Sequence, residues 1–312
     1  MLVEDLYVKF IVMKLAAYER KKTAWNKISS HFYKAKYYQW LYKKLPYREK
    51  GISVMGCYGV EVELPFWENE LADMQEHYLE NYIKRILEIY DIPECYLEQR
   101  LSYMQGIFGK EKKWIFSYLF FQQGMELFMK KHGISKKDVK VVIIDSDDKK
   151  IAMILETVLQ YANYLTIVTE RKEYFEKAVD IIYEETGLMV DVVSSEEKGK
   201  IAGTFIVNLN QENYQLYSRI SDNSFIMDLA FTNEKLEYVS SRKKGIEILY
   251  DYEVLTDNTR LDKELIAEVL VRDNWKLSRF TKRKECILTQ EEIDRILRSY
   301  KLSIDVLKTI TI

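Results

Sequence analysis

Between residues 138 and 253 this chain alternates short apolar runs with segments of helical spacing, and that alternation constrains its fold more than any other feature. Val139–Ile144 is an almost continuous apolar run, as expected for a strand buried on both faces, and Lys149–Ala162 has the periodicity of a helix. The pattern continues with strands at Leu165–Val168, Leu188–Val193, Thr204–Leu209, Ser224–Leu229 and Ile246–Tyr250, and with a helix at Glu173–Glu185 closed by Thr186-Gly187. Such alternation implies right-handed crossovers, so the predicted fold class is α/β with an open, mostly parallel sheet.

The N-terminal region is predicted to be mainly helical, with one short β segment. Apolar residues recur at helical spacing from Leu6 to Ala17 and from Ile28 to Leu45, after which Pro46 ends the pattern. From Tyr58 to Leu64 the apolar residues alternate with a period of two, which predicts a half-buried strand. Further helices are predicted at 67–91 and 111–131.

The C-terminal part is also predicted to be helical. Leu261–Val271 is amphipathic, and Thr289 with Glu292 forms a capping box for a helix that begins near Gln290. Residues 302–312 fit a strand or a helix equally well. The predicted organisation is a mainly helical region at 1–134, an α/β domain at 135–257, and a helical tail at 258–312 that packs on the body.

Composition places the chain among globular proteins, with 47% hydrophobic and 31% charged residues. The three cysteines are far apart and form no CxxC pair, which favours a reducing compartment. No apolar run reaches the roughly 20 residues that span a bilayer, and acids stand where a signal peptide would be basic. The expectation is a cytoplasmic protein with no membrane partner.

Local charge suggests partners. Residues 1–50 hold 12 Lys and Arg against 4 Asp and Glu, whereas residues 66–100 hold 3 against 9. These segments would neutralise one another within one fold or across a dimer, so self-association or a protein partner is the favoured expectation. The basic segment also interleaves charge with aromatic rings, as nucleic-acid-binding surfaces do. Its candidate contacts are Lys21, Lys22, Trp25, Lys34 and Lys36, although the helical spacing of the rings favours core packing over nucleic acid.

From 138 to 209 the order of elements resembles a Rossmann-like nucleotide-binding half. The resemblance rests on topology, and the glycine-rich phosphate loop is missing, because no glycine lies between Gly133 and Gly187. Ser146 in the turn and Glu170 after the second strand are the candidate cofactor contacts, Glu170 toward a ribose. The aspartates at 145, 147 and 148 would repel a phosphate, so NAD(P) is disfavoured and the scaffold is interpreted as degenerate.

Asp145 and Asp147 also resemble the D-x-D motif of haloacid-dehalogenase-type phosphotransferases and, less closely, the acidic pocket of receiver domains. This resemblance implies that both carboxylates share a Mg²⁺ ion, with catalysis by Asp145 and Asp147 and a phosphate contact from Thr169. Lys198 or Lys200 would then supply positive charge. Lys149 departs from the motif, and the early start of the helix leaves no room for the usual flap.

A simpler interpretation makes the turn from Asp145 to Asp148 the start of a helix, with acids that cap it and complement its dipole. This interpretation is preferred. The favoured function is accordingly a non-catalytic module that binds a protein partner or a small-molecule ligand. Mg²⁺-dependent phosphoryl transfer and nucleic-acid binding are the alternatives.

Overall fold

The computed structural model describes residues 7–16, 47–66, 76–109, 111–135, 139–146, 148–196, 199–212, 214–242, 245–283 and 285–311. The chain divides into two compact units. Unit 1 comprises Met1–Lys112 and Glu264–Trp275, and unit 2 comprises Lys113–Lys263 and Lys276–Ile312. In chain order the described strands and α-helices are β1 (Phe10–Leu15), β2 (Arg48–Val54), β3 (Cys57–Leu64), α1 (Glu76–Ile89), β4 (Tyr96–Leu97), α2 (Gln105–Phe108), α3 (Ile115–Leu119), α4 (Phe121–Lys131), β5 (Lys140–Ile144), α5 (Ile151–Val158), β6 (Tyr164–Val168), α6 (Lys172–Thr186), β7 (Val190–Val193), β8 (Phe205–Asn208), β9 (Phe225–Asp228), α7 (Asn233–Arg242), β10 (Glu247–Thr256), β11 (Thr259–Arg260), α8 (Lys263–Asp273), α9 (Trp275–Lys282), α10 (Gln290–Ser299) and β12 (Leu302–Thr311). Short 3-10 helices are formed by Gln99–Met104 and Tyr214–Arg219.

Unit 1 is built on a four-stranded sheet with the order β2-β3-β1-β4. Strand β1 runs parallel to β3 and β4, and β2 pairs antiparallel with β3. Ile11 and Met13 pack into a core that includes residues of α1, whereas Phe10 and Val12 pack with Val269 of α8 on the other face. Both faces of β1 are therefore covered.

This two-sided burial corrects the helix expected at Leu6–Ala17. The helical spacing ignored Ile11 and Val12, which stand between the chosen apolar positions and make the run continuous. A continuous, β-branched apolar run is typical of a central parallel strand. The second predicted N-terminal helix, Ile28–Leu45, lies outside the described residues. The strand expected at Tyr58–Leu64 is confirmed as β3.

Unit 2 contains an open sheet in which six strands run parallel, in the order β7-β6-β5-β8-β9-β10. Counted from β5, this is the order 3-2-1-4-5-6 of doubly wound nucleotide-binding folds. Strands β5 and β8 are buried at nearly every position, as the apolar runs predicted. Strands β11 and β12 add antiparallel neighbours to β10. The predicted fold class, a mostly parallel Rossmann-like α/β sheet, is confirmed.

Local signals at the helix ends are also confirmed. Gly187 closes α6 with φ of 71°, a left-handed conformation that costs glycine little. Thr289 accepts the backbone N–H of Glu292, and the Glu292 side chain accepts that of Thr289, so α10 begins with the expected capping box. The stretch at 302–312, which fitted either type of element, forms strand β12. Of the helices described, none combines the length and the apolarity needed to cross a bilayer.

Candidate functional site

The sheet of unit 2 has one point at which its strand order reverses. Strand β5 lies between β6 on one side and β8 on the other, and all three run in the same direction. The chain winds from β5 toward β7, then crosses back to β8 and winds the other way. A crevice forms at the carboxyl ends of the strands at such a point, and ligands of open α/β sheets bind there.

A buried ion pair occupies the carboxyl end of β5. Arg171, just after β6, donates from Nε to Oδ2 of Asp145 at 2.7 Å and from Nη2 to Oδ1 at 2.9 Å. The hydroxyl of Thr169 donates to Oδ2 at 2.7 Å, and the backbone N–H of Ser146 donates to Oδ1 at 2.9 Å. The Asp145 side chain is 1% exposed and that of Arg171 is 23% exposed. The carboxylate is thus satisfied by four hydrogen bonds, two of them from a bidentate guanidinium.

This pairing bears on the hypothesis of a Mg²⁺-dependent phosphotransferase, which stays a prediction from the sequence. A metal ligand needs carboxylate oxygens that face an open site, and those of Asp145 face Arg171 and Thr169 instead. The hydroxyl of Thr169, the proposed phosphate contact, donates to Asp145. Asp147, the second proposed ligand, lies outside the described residues. Within the described part of the chain, no group of three or more His, Cys, Asp or Glu side chains could hold a metal ion.

Asp148 is also paired. Its Oδ1 accepts the backbone N–H of Lys150 at 3.0 Å, and its Oδ2 accepts Lys150 Nζ at 2.8 Å. The Lys150 ammonium lies 5.5 Å from the ring centroid of Trp114 and 5.2 Å from that of Phe280. Burial, and then the nearby Asp148, raise the pKa of the Tyr118 hydroxyl above its ordinary value. The two described aspartates that flank position 147 are therefore both paired with a cation.

Glu170 lies at the carboxyl end of β6 and is exposed. Its Oε1 accepts a hydrogen bond from the backbone N–H of Ser195 at 3.0 Å and another from the Ser195 hydroxyl. These contacts hold the carboxylate between the carboxyl ends of β6 and β7. Of the two lysines considered as sources of charge, Lys200 is exposed and Lys198 lies outside the described residues.

A second buried network lies at the carboxyl ends of β8 and β9. Lys235, near the start of α7, directs Nζ to both carboxylate oxygens of Asp228 at 3.1 Å. Both side chains are fully buried. The Tyr217 hydroxyl and the Asn208 amide donate to Oδ2 of the same aspartate. Burial lowers the pKa of Lys235, with Asp228 opposing, whereas burial and then Asp228 raise the pKa of Tyr217 well above its ordinary value.

Asn210 connects this network to the turn after β5. Its side-chain Nδ2 donates to the carbonyl oxygen of Asp145 at 3.2 Å, and its own carbonyl accepts Lys235 Nζ at 2.6 Å. Asn208 and Asn210 are visible in the sequence as the polar end of a predicted strand. The sequence does not single out Lys235 or Arg171, because each meets its aspartate only when the strands are assembled into the sheet.

The residues proposed for nucleic-acid binding, Lys21, Lys22, Trp25, Lys34 and Lys36, all lie outside the described residues. Ser146 and Glu170, the proposed cofactor contacts, are both at the carboxyl edge of the sheet, Ser146 after β5 and Glu170 after β6. Thr169 lies between them as a donor to Asp145.

Neither the protein-family models nor the curated proteins include a match to this chain. Solved structures do match. A chorismate mutase/shikimate 5-dehydrogenase fusion protein from Clostridium acetobutylicum shares 12% identity with a TM-score of 0.31, over 93% of this chain and 96% of that one. A quinate dehydrogenase from Corynebacterium glutamicum in complex with NAD shares 16% identity, with a TM-score of 0.32 and 62% of each chain covered. A shikimate 5-dehydrogenase from Listeria monocytogenes with shikimate and NAD shares 10% identity, with a TM-score of 0.31 over 92% of this chain and 95% of that one.

The expectation of a non-catalytic module in which NAD(P) is disfavoured is wrong. The similar solved structures are dehydrogenases, and two of the three contain NAD. Their similarity to this chain concerns the fold, so binding by this chain must follow from its own geometry. The physical reason for the error is the assumption that the acids of the turn stand unpaired. Asp145 is neutralised by Arg171 and Asp148 by Lys150.

Proposed function

We propose that unit 2 binds NAD in the crevice at the carboxyl edge of its sheet and that the protein is an NAD-dependent oxidoreductase. The observation that supports this proposal is the strand order β7-β6-β5-β8-β9-β10. Two halves of three parallel strands meet at β5 and β8, and folds of this order bind one mononucleotide on each half. Bound NAD supplies hydride transfer. The chain supplies binding and orientation.

The side chains at the crevice suit an anionic dinucleotide, although the glycine-rich loop is missing. Arg171 is part-exposed beside the end of β5, and Lys149 is exposed in the following turn. Both cations lie at the end of the sheet where phosphates approach in this fold. Nε and Nη2 of Arg171 already donate to Asp145, so Lys149 is the main candidate for a direct phosphate contact. The backbone N–H of Lys150 is already bonded to Asp148. Phosphate recognition is therefore assigned to side chains instead of glycine amides.

Glu170 selects NAD over NADP in this proposal. An acidic residue at the end of the second strand of such a sheet accepts hydrogen bonds from the ribose hydroxyls of the adenosine half. Glu170 occupies that place at the end of β6 and is fixed there by Ser195. The same carboxylate would repel the extra phosphate of NADP.

Calorimetric titration with NAD and NADP tests the proposal. We expect NAD to bind more tightly than NADP, and Glu170→Ala to weaken NAD binding about tenfold or more, because hydrogen bonds to a charged group contribute about 1.5–3 kcal/mol. Glu173→Ala is the matched control, since Glu173 is an exposed acid in the first turn of α6. Thermal unfolding of both variants verifies that the fold is intact. Failure of the wild-type protein to bind either dinucleotide at millimolar concentration would overturn the proposal.

Self-association or a protein partner, and a cytoplasmic location, stay predictions from the sequence. Gel filtration with light scattering measures the first directly.

A further inference from the structure

The ammonium of Lys235 is a fully buried cation close to the point where the strand order reverses. Its hydrogen bonds go to Asp228, to the carbonyl of Asn210 at 2.6 Å and to the carbonyl of Ala230 at 2.7 Å. These three partners use all three N–H donors of an ammonium. Burying a charge is costly even when it is paired, and apolar replacements of buried ion pairs are often neutral or stabilising. Stability alone is therefore a weak explanation for a lysine at this position.

Lys235 contacts two loops at the carboxyl edge of the sheet. Asn210 follows β8 and Ala230 follows β9, and both carbonyls point at the same ammonium. Asn210 also connects these loops to the end of β5, because its side-chain amide donates to the carbonyl of Asp145. Asp228 is itself held by Tyr217, Asn208 and the backbone N–H of Ala230. The Lys235 ammonium thus connects the loops that follow β8 and β9, and the Asn210 amide connects the loop after β8 to the turn after β5.

We propose that Lys235 is a positioning residue for the nicotinamide half of a bound dinucleotide. This inference rests on the proposed NAD binding and deepens it. Glu170, the proposed ribose contact, places the adenosine half over β5, β6 and β7. The half formed by β8, β9 and β10 then receives the nicotinamide mononucleotide. Lys235 holds the loops of that second half without touching the ligand itself, since its side chain is fully buried.

This proposal predicts that replacing Lys235 affects the binding of NAD and of ADP differently. NAD contacts both halves of the sheet, whereas ADP carries the adenosine and the phosphates and lacks the nicotinamide ribose. Loosening the loops at Asn210 and Ala230 should therefore weaken NAD binding and leave ADP binding unchanged. A lysine that merely supported the fold would affect both probes equally when replaced.

The experiment is calorimetric titration of the full-length protein with NAD and with ADP, for wild type and Lys235→Met. We expect Lys235→Met to weaken NAD binding about tenfold, because the loosened loops must then be ordered when NAD binds and ordering one or two groups costs about that much affinity. The affinity for ADP should stay within twofold of the wild-type value. Lys177→Met is the matched control because Lys177 is exposed on α6, and it should change neither affinity. Equal losses for both probes, or no loss for either, would refute the positioning role.

A second variant guards against unfolding of Lys235→Met. Asn210→Ala keeps the carbonyl that Lys235 contacts and removes the side-chain amide, which lies at a part-exposed position. The amide donates to the carbonyl of Asp145 and accepts the backbone N–H of Glu212. The variant should reproduce the selective loss of NAD affinity. If Asn210→Ala binds both probes like the wild-type protein, the proposal that these contacts position the nicotinamide half is wrong. Wild-type protein that binds neither NAD nor ADP would instead reject the proposed function, so the two failures are distinguishable.

Discussion

At the scale of single residues, the burial of Asp145 determines what the turn after β5 can do. Its carboxylate is desolvated and its hydrogen-bond capacity is taken up by Arg171, Thr169 and the backbone of Ser146. A buried carboxylate of this kind holds its hydrogen-bond donors in place. The same pair also fixes Arg171 over the ring of Tyr174, 4.4 Å from its centroid.

Asp145→Asn tests this structural role. The substitution leaves the guanidinium of Arg171 without its counter-charge, and breaking a buried pair from one side typically costs about 3–5 kcal/mol. Because Arg171 is partly exposed, we expect the lower end of that range, about 3 kcal/mol in the free energy of unfolding. Urea denaturation measures it, with Asp180→Asn as control, since Asp180 is an exposed acid on α6. A loss below about 1 kcal/mol in Asp145→Asn would contradict the role assigned to the pair.

The sequence reveals a site residue only where its position can be recognised without knowing which strands are neighbours. Asp145, Thr169 and Glu170 are foreseeable because each follows a buried apolar run. Arg171 pairs with a residue 26 positions away, and that pairing exists only because β5 and β6 are adjacent and in register at Ile144 and Val168. The sequence contains the residues but not this register, so it could not show that the acids are neutralised.

At the scale of secondary-structure elements, helix α4 contains a glycine for a reason that propensity does not show. Gly124 lies against Tyr252 of β10, and a Cβ atom at Gly124 would stand 2.5 Å from the tyrosine hydroxyl oxygen. Tyr252 is buried and cannot move aside into solvent. The close approach of α4 to β10 therefore requires the absence of a side chain.

Gly124→Ala should consequently destabilise the protein. Helix propensity alone would make this change favourable by up to about 1 kcal/mol, but overpacking a buried contact costs about 1–3 kcal/mol. We expect a net loss of about 1–2 kcal/mol by urea denaturation. Gly106→Ala in helix α2 is the control, because nothing lies within 4 Å of a Cβ at that position. A stabilised Gly124→Ala variant would show that α4 and β10 can separate without cost.

Elements were predicted most accurately where one pattern explains the whole segment. The strands β5, β6, β8 and β9 are short apolar runs bounded by polar residues, and no helical alternative fits their length. Strand β1 was predicted as a helix because the apolar positions chosen for the helical spacing left out Ile11 and Val12, which make the run continuous. Its identity depends on β3 and α8, which cover its two faces and lie far away in the sequence.

At the scale of the whole molecule, unit 2 depends on a strand from the far end of the chain. Strand β12 pairs antiparallel with β10, from the pair Glu247 and Thr311 at one end to the pair Thr256 and Leu302 at the other. Ile310 of β12 packs against the core that includes residues of β8, β9 and β10. No other described strand pairs with β10 along this length. The edge that β12 covers would otherwise offer a long row of unpaired backbone groups.

Deletion of residues 302–312 should therefore abolish cooperative unfolding of unit 2. Backbone hydrogen bonds contribute about 1 kcal/mol each, so losing this ladder removes an amount comparable to the 5–15 kcal/mol by which domains are stable. Near-ultraviolet circular dichroism during heating measures the loss, and Val306→Thr at an exposed position of β12 is the control. A truncated protein that melts like the wild-type protein would show that β10 is stable at the edge of the sheet.

The discontinuity of unit 1 has a consequence for biosynthesis. Val269 of α8 belongs to the same core as Phe10, Val12 and Cys57. The ribosome must therefore add more than two hundred residues between the first strand of that core and the helix that completes it. Strands β5 to β10 leave the ribosome during this interval. N-terminal domains generally fold first during synthesis, but the core that contains Phe10 and Val12 stays incomplete until α8 has been made.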